Sequence, residues 1–238
     1  LLVEYVESVS KGLEFAGIAT TTDVRSGPAA QHIVNEAEPA SETFIAMSTH
    51  GRTGIGRLIM GSVTDGVLQT AKVPMLVVRS NGDSPAPGTT ATIKILIVPL
   101  DGSELAATVT PIVVELAKAL SAEMLLARAV SIPFSFYASA DYSAPVNINF
   151  LGAMEDEATA YLAECAEAMK KSGVASVKTA VLRGGASVEI ENLSQDTPDC
   201  MIVISTHGRT GIGRAVLGSV ADRLARHLGQ PVLLVWPS

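Results

Sequence analysis

Ser205-Thr206-His207-Gly208-Arg209-Thr210-Gly211-Ile212-Gly213-Arg214, followed by Gly218-Ser219, is written twice in this chain. Ser48 to Arg57 carries the same ten residues, and Gly61-Ser62 follows at the same distance. The copies stand 157 residues apart, His50 against His207 and Ser62 against Ser219. One glycine-rich loop present twice marks a tandem repeat, and a repeat decides the architecture before any local reading does. Each copy follows a short apolar run, Thr43 to Met47 or Cys200 to Ile204, and each is followed by a helical pattern opening at Ser62 or Ser219.

Working outward, 238 residues with this repeat make two domains of ordinary size. Residues 1–79 form the first and 93–238 the second. Arg79 to Thr92, RSNGDSPAPGTTAT, has no apolar periodicity and reads as a linker over 80–92. Hydrophobic residues make up 47 % and aromatics only 4 %, so the core is aliphatic, as in parallel strands covered on both faces by helices. A net charge of −7 argues against non-specific nucleic-acid binding. Cys165 and Cys200 belong to no CxxC or Cys/His cluster and read as small buried hydrophobes. No apolar run approaches the roughly 18 residues of a membrane span, and no signal peptide is visible, so no membrane partner and a cytoplasmic location are expected.

Strands and helices alternate. In the first half the pattern predicts a helix over Leu1 to Phe15, a strand over Ile18 to Val24, a helix from Gly27-Pro28 to about Ala37, and a last strand at Pro74 to Val78. In the second half strands are expected at Ile93 to Pro99, Glu123 to Val130, Ser176 to Leu182, Cys200 to Ile204 and Pro231 to Val235. Helices are expected at Glu104 to Leu120, where Pro111 implies a kink or a later start, and at Gly152 to Ser172, Ser187 to Leu193 and Ser219 to Leu228. Ser131 to Phe150 reads as a long loop holding half of the aromatics. The alternation points to α/β domains with doubly wound parallel sheets. Ile93 to about Ala158, about 65 residues, has no counterpart ahead of Leu1. The chain is therefore expected to be incomplete at its N-terminus, which would leave the first half's fourth strand with an open edge.

The glycine loop carries the chemistry. Ligands of open parallel sheets settle at the carboxyl ends of strands, where strand order reverses. Gly208, Gly211, Gly213 and Gly218 allow close backbone approach. Ser219 with Asp222, and Ser62 with Asp65, have capping-box spacing. A helix start with free N–H groups suits an anion, most simply a nucleotide's phosphates; a tight turn with no ligand is the other reading. The loop is neither a dinucleotide fingerprint nor a P-loop. Asp101, just past the Ile93–Pro99 strand, would face this loop across the switch point, or would cap the following helix. His50 and His207 have no obvious carboxylate or cysteine partner nearby and read as backbone-bonded or exposed. Arg209 and Arg214, like Arg52 and Arg57, could neutralise phosphate or lie in solvent.

On these residues both halves resemble the universal stress protein family, whose ATP-binding members carry G-x2-G-x9-G-[ST] after the fourth strand. The chain offers Ser205-x2-Gly208-x9-Gly218-Ser219 and Ser48-x2-Gly51-x9-Gly61-Ser62, with serine for the first glycine in both copies. The resemblance implies a Rossmann-like fold akin to the adenine nucleotide alpha hydrolases, and ATP as ligand, with or without Mg²⁺. It implies a second-half site of Pro99, Leu100, Asp101, Ser103, Val130, Ser205, His207, Gly208, Arg209, Gly218, Ser219 and Val220. Asp101 would stand by the nucleoside and Val130 by the base. The first-half set is Ser48, Gly51, Gly61 and Ser62, expected to be empty or weak for want of an Asp101 counterpart. It further implies that the last strands of the two halves pair as an intramolecular pseudo-dimer, with a homodimer as a further option. The function expected is an ATP-binding stress-response regulatory module; the alternative is a dimerisation or scaffold module of the same fold that binds no nucleotide. No base with a partner, no metal-binding carboxylate cluster and no SGGxDS-type loop is visible, so at most weak ATP hydrolysis is expected.

Overall fold

The computed structural model describes residues 2–39, 42–49, 60–79, 92–103, 109–131, 148–206 and 217–236. The first half supplies α1 (Leu2–Phe15), α2 (Ala29–Ala37), β1 (Ile45–Ser48), α3 (Ser62–Thr70) and β2 (Met75–Val78). The second supplies β3 (Ile95–Pro99), α4 (Thr110–Leu120), β4 (Glu123–Val130), α5 (Ile148–Lys171), β5 (Val177–Arg183), α6 (Ala186–Gln195), β6 (Cys200–Ser205), α7 (Ser219–His227) and β7 (Val232–Val235). The linker residues 80–91 lie outside the described set. Pro111 stands in the first turn of α4, where its missing N–H costs nothing, so the later start is the one adopted.

All the strands join one sheet in the order β1-β2-β7-β6-β3-β4-β5. Neighbours run parallel except between the second and third strands, where β2 meets β7 antiparallel with Met75↔Leu234, Leu76↔Leu233 and Val77↔Val232 in register. Leu76 and Leu233 are repeat equivalents, 157 positions apart, and they pair with each other. A local twofold axis therefore passes between them, and the pseudo-dimer is a continuous sheet. Each strand fills the other's open backbone edge.

The sheet has two packed faces. One core cluster draws Val34, Val67, Met75 and Val77 from the first half and Ile202, Leu224, Val232 and Leu234 from the second. The other gathers Leu96, Val98, Met124, Leu126, Leu162, Met169 and Val203, all from the second half. The halves thus share a core on the face of α3 and α7. Arg226 of α7 reinforces this seam. Its Nε donates to Asp222 at 2.7 Å and its Nη2 to Asp65 of α3 at 2.6 Å. Asp65 is the repeat equivalent of Asp222, so one guanidinium serves both copies, and Gln69, in the place of Arg226, donates to Asp65 at 2.9 Å. All three charged groups are about one-third exposed. Arg226→Gln is accordingly expected to cost only about 0.5–1 kcal/mol in urea unfolding. That loss should shrink in high salt; a loss that salt leaves unchanged would show that packing, not charge, is at work.

Two expectations are corrected. Ile18 to Val24 is not a strand, and Ile18 and Val24 are exposed. The corresponding segment in the second half is β5, which exists by pairing along its length with β4. The described first half has no such partner, and a strand without a ladder has nothing to hold its extended backbone. The same lack shows on α1. Its helix forms, but no residue of it is buried, and Leu2, Val9 and Leu13 of its predicted apolar stripe are exposed. On α5, by contrast, Leu162, Ala166 and Met169 pack against the sheet. Second, the capping boxes do not form: Gly61 and Gly218 take the N-cap positions without any side-chain cap, Ser62 and Ser219 are the first helical residues, and Asp65 and Asp222 turn to Arg226 instead.

Candidate functional site

The strand order of the second half reverses between β3 and β6. From β3 the chain proceeds outward to β4 and β5, then crosses back to β6 on the other side. The helices that follow also diverge. Val113, Val114 and Ala117 of α4 enter one core cluster, and Ala221, Leu224 and Ala225 of α7 enter the other. The carboxyl ends of β3 and β6 are adjacent, with Ile95↔Cys200, Leu96↔Met201 and Ile97↔Ile202 paired. This is the position at which open parallel sheets receive ligands.

On the β6 side, Ser205 and Thr206 are buried. The Gly218 N–H donates to the Thr206 carbonyl at 2.7 Å, and in the first half the Gly61 N–H donates to the Thr49 carbonyl at 2.8 Å. In each half the start of the helix is therefore tied to the end of the strand before it. Both glycines have extended backbones, φ −60° and ψ 143° at Gly218, φ −63° and ψ 146° at Gly61. A Cβ on Gly61 would sit 3.2 Å from the Thr49 carbonyl oxygen, tight enough that the backbone would have to give. Past the pinch, helix geometry leaves the first-turn N–H groups of α7, those of Ser219 and Val220 included, without intrahelical acceptors. Ser219 is exposed and Val220 half-buried.

On the β3 side, Pro99 and Leu100 are buried, and the Leu100 N–H continues the ladder to the Ala127 carbonyl at 2.8 Å. Asp101 follows in a turn. Its Oδ1 accepts from the Ser103 N–H at 2.9 Å and the Ser103 hydroxyl at 2.6 Å, an Asx turn that fixes the carboxylate. Val130 ends β4 with its side chain buried and its carbonyl accepting the Gly184 N–H at 2.9 Å. Among the described residues the fold therefore brings Pro99, Leu100, Asp101, Ser103, Ser205, Gly218, Ser219 and Val220 to one end of two neighbouring strands, with Val130 on the next. His207, Gly208, Arg209 and Gly51 lie outside the described residues, as do His50, Arg52, Arg57 and Arg214. In the first half Ser48, Gly61 and Ser62 stand at the end of β1. That strand is at the sheet edge, and among the described residues no strand beside it takes the place β3 has beside β6.

One residue at this end was missed in the sequence. Arg128 interrupts the apolar face of β4 formed by Met124, Leu126 and Val130, and its side chain is only 8 % exposed. Its Nη2 donates to Glu157 of α5 at 3.0 Å, and its guanidinium lies 5.1 Å from the centre of the Tyr161 ring. Burial, with lesser contributions from Cys165 and Asp101, pushes the Tyr161 hydroxyl up to about 12 against the opposing pull of Arg128, so the ring stays neutral. A charge on the apolar face of β4 was the signal available. Among the described residues no group of three or more His, Cys, Asp or Glu could hold a metal ion. No described helix is long and apolar enough to cross a membrane.

Comparison with known proteins agrees with this architecture. Two universal stress proteins of Methanocaldococcus jannaschii are 37 % identical over 76 residues and 32 % identical over 74 residues. These stretches cover 32 % and 31 % of the chain and 45 % and 46 % of the relatives, so the chain spans a little under half the length of the curated relatives it matches. A solved universal stress protein from Archaeoglobus fulgidus, 20 % identical, superposes with a TM-score of 0.71 over 99 % of this chain and 77 % of its own, which speaks for the fold alone. The pattern of the Universal stress protein family matches twice, over residues 2–79 and 92–235, and the chain belongs to that family.

Proposed function

We propose that the second half binds ATP at the β3–β6 switch point and that the protein works as a nucleotide-responsive regulatory module. The observation that carries this reading is the hydrogen bond from Gly218 to Thr206, which ties the N-terminus of α7 to the end of β6, next to the strand β3 that the fixed Asp101 carboxylate follows. A helix N-terminus offers backbone donors and a positive dipole end to phosphate, and a carboxylate accepts from the hydroxyls or amino group of a nucleoside. Phosphates belong at Gly208, Gly218 and Ser219, and the nucleoside between Asp101 and Val130. Any Mg²⁺ would arrive on the phosphates. The Ser48–Gly61 loop, at an edge strand, is the weak or empty site. Calorimetric titration with ATP, with and without Mg²⁺, is expected to give one saturable site per chain and little or no turnover. Absence of binding at millimolar ATP would overturn this in favour of a scaffold module; two equal sites would overturn the asymmetry.

A further inference from the structure

The Arg128 guanidinium stands where β4, α5 and the turn after β3 meet. It is held from one side by Glu157 at 3.0 Å and from another by the face of Tyr161, both on α5. Over it passes Gly102, whose φ of +86° lies in the left-handed region. A Cβ there would approach Arg128 Cζ and Nη2 to 3.2 Å, so the turn rests against the guanidinium with no room to spare. Gly102 is the centre of the Asp101–Ser103 turn, with Asp101 hydrogen-bonded across it.

Stability gives little reason for this arrangement. Removing a guanidinium from water is costly, and an aliphatic side chain would continue the face of Met124 and Leu126. The partner carboxylate of Glu157 is 71 % exposed, so the ion pair is a weak one. What the guanidinium does supply is a flat, rigid plane with fixed donors, which a lysine ammonium lacks.

We propose that Arg128 is a positioning residue for the nucleoside end of the site, its plane setting the height and direction of the Asp101 turn and its tether to Glu157 and Tyr161 making that setting depend on α5. This rests on the ATP reading above. The test measures the affinities of adenosine, ATP and inorganic tripolyphosphate for the wild type, Arg128→Lys, Arg128→Met and Glu157→Gln, with circular dichroism confirming that each variant is folded. Both Arg128 variants should weaken adenosine and ATP by a common factor of about tenfold, the scale of one charge-assisted hydrogen bond, and leave tripolyphosphate unchanged. Glu157→Gln should give a smaller loss of the same kind. If Arg128→Met does not fold, Arg128→Lys and Glu157→Gln carry the test. Unchanged adenosine affinity in the folded variants overturns the proposal while leaving ATP binding intact, and so does a parallel fall for tripolyphosphate. A wild type that binds neither adenosine nor ATP overturns the ATP reading and this proposal together.

Discussion

Leu234→Ala is expected to destabilise the whole protein by about 2–5 kcal/mol, the range for truncating a large aliphatic side chain in a packed core. Leu234 is 0 % exposed and sits in β7 between Met75 of β2 and Ile204 of β6. Its side chain belongs to the core cluster that draws on both halves. Little of the cavity can close, because the sheet on either side is fixed by ladders of opposite sense. The shared core also predicts how unfolding proceeds. A strand pair and a common apolar layer couple the halves, so denaturant should give one transition for both wild type and variant, with the variant's midpoint lowered. Urea unfolding followed by the single tryptophan, Trp236, and by far-ultraviolet circular dichroism checks this. Trp236 packs against the shared cluster and reports on it directly. Two separated transitions, or a loss below about 1 kcal/mol, would mean that the halves are independent and that the β2–β7 seam is only a contact.

Much of this architecture was legible before any coordinates, and the reasons are physical. The repeat of Ser48–Ser62 at Ser205–Ser219 forces equivalent strands into equivalent places. That the two last strands pair with each other was implied by the family resemblance, and the β2–β7 ladder bears it out. The runs at Ile95–Pro99 and Cys200–Ser205 are apolar at almost every position because both their faces are covered. What failed were features that depend on a partner. Thr and Val favour a strand at Ile18–Val24, but propensity is a preference for a pleated, half-buried surface and cannot create one. The helical period of Leu2, Val6, Val9 and Leu13 made α1 legible as a helix and said nothing about what covers it. At Ser62 and Ser219 the spacing to the aspartates was right, yet the preceding glycines take the cap, and Arg226 competes for both carboxylates. Arg128 was not legible as part of the site. Its meaning depends on Gly102, Glu157 and Tyr161, which only the fold brings to it. Of the candidate site, the ends of β3 and β6 followed from topology, and the clasp between Gly218 and Thr206 did not.

That clasp sharpens the expected effect of Gly218→Val. Gly218 is the N-cap of α7, and its N–H is committed to the Thr206 carbonyl at 2.7 Å. Gly61, its equivalent in nearly the same conformation, leaves 3.2 Å between an added Cβ and the corresponding carbonyl oxygen. A branched side chain at Gly218 would thus press on the end of β6 from one side. On the other it would project where phosphate must approach the first turn of α7. ATP affinity should fall by about 1–3 kcal/mol, the usual cost of overpacking a tight site, and Gly218→Ala should fall less. The repeat provides the control. Gly61→Val forces the same side chain against the same kind of clasp, 157 residues away and at the end of the edge strand β1. It should lower stability much as Gly218→Val does and leave ATP affinity at the wild-type value. Loss of affinity confined to Gly218→Val would separate an effect at the binding site from an effect on the fold. Equal affinities for wild type and Gly218→Val would make the loop a turn and nothing more. Matching losses in both variants would show that ATP affinity follows the strand-to-helix clasp or a binding loop common to both repeats, and not a contact made at Gly218 alone.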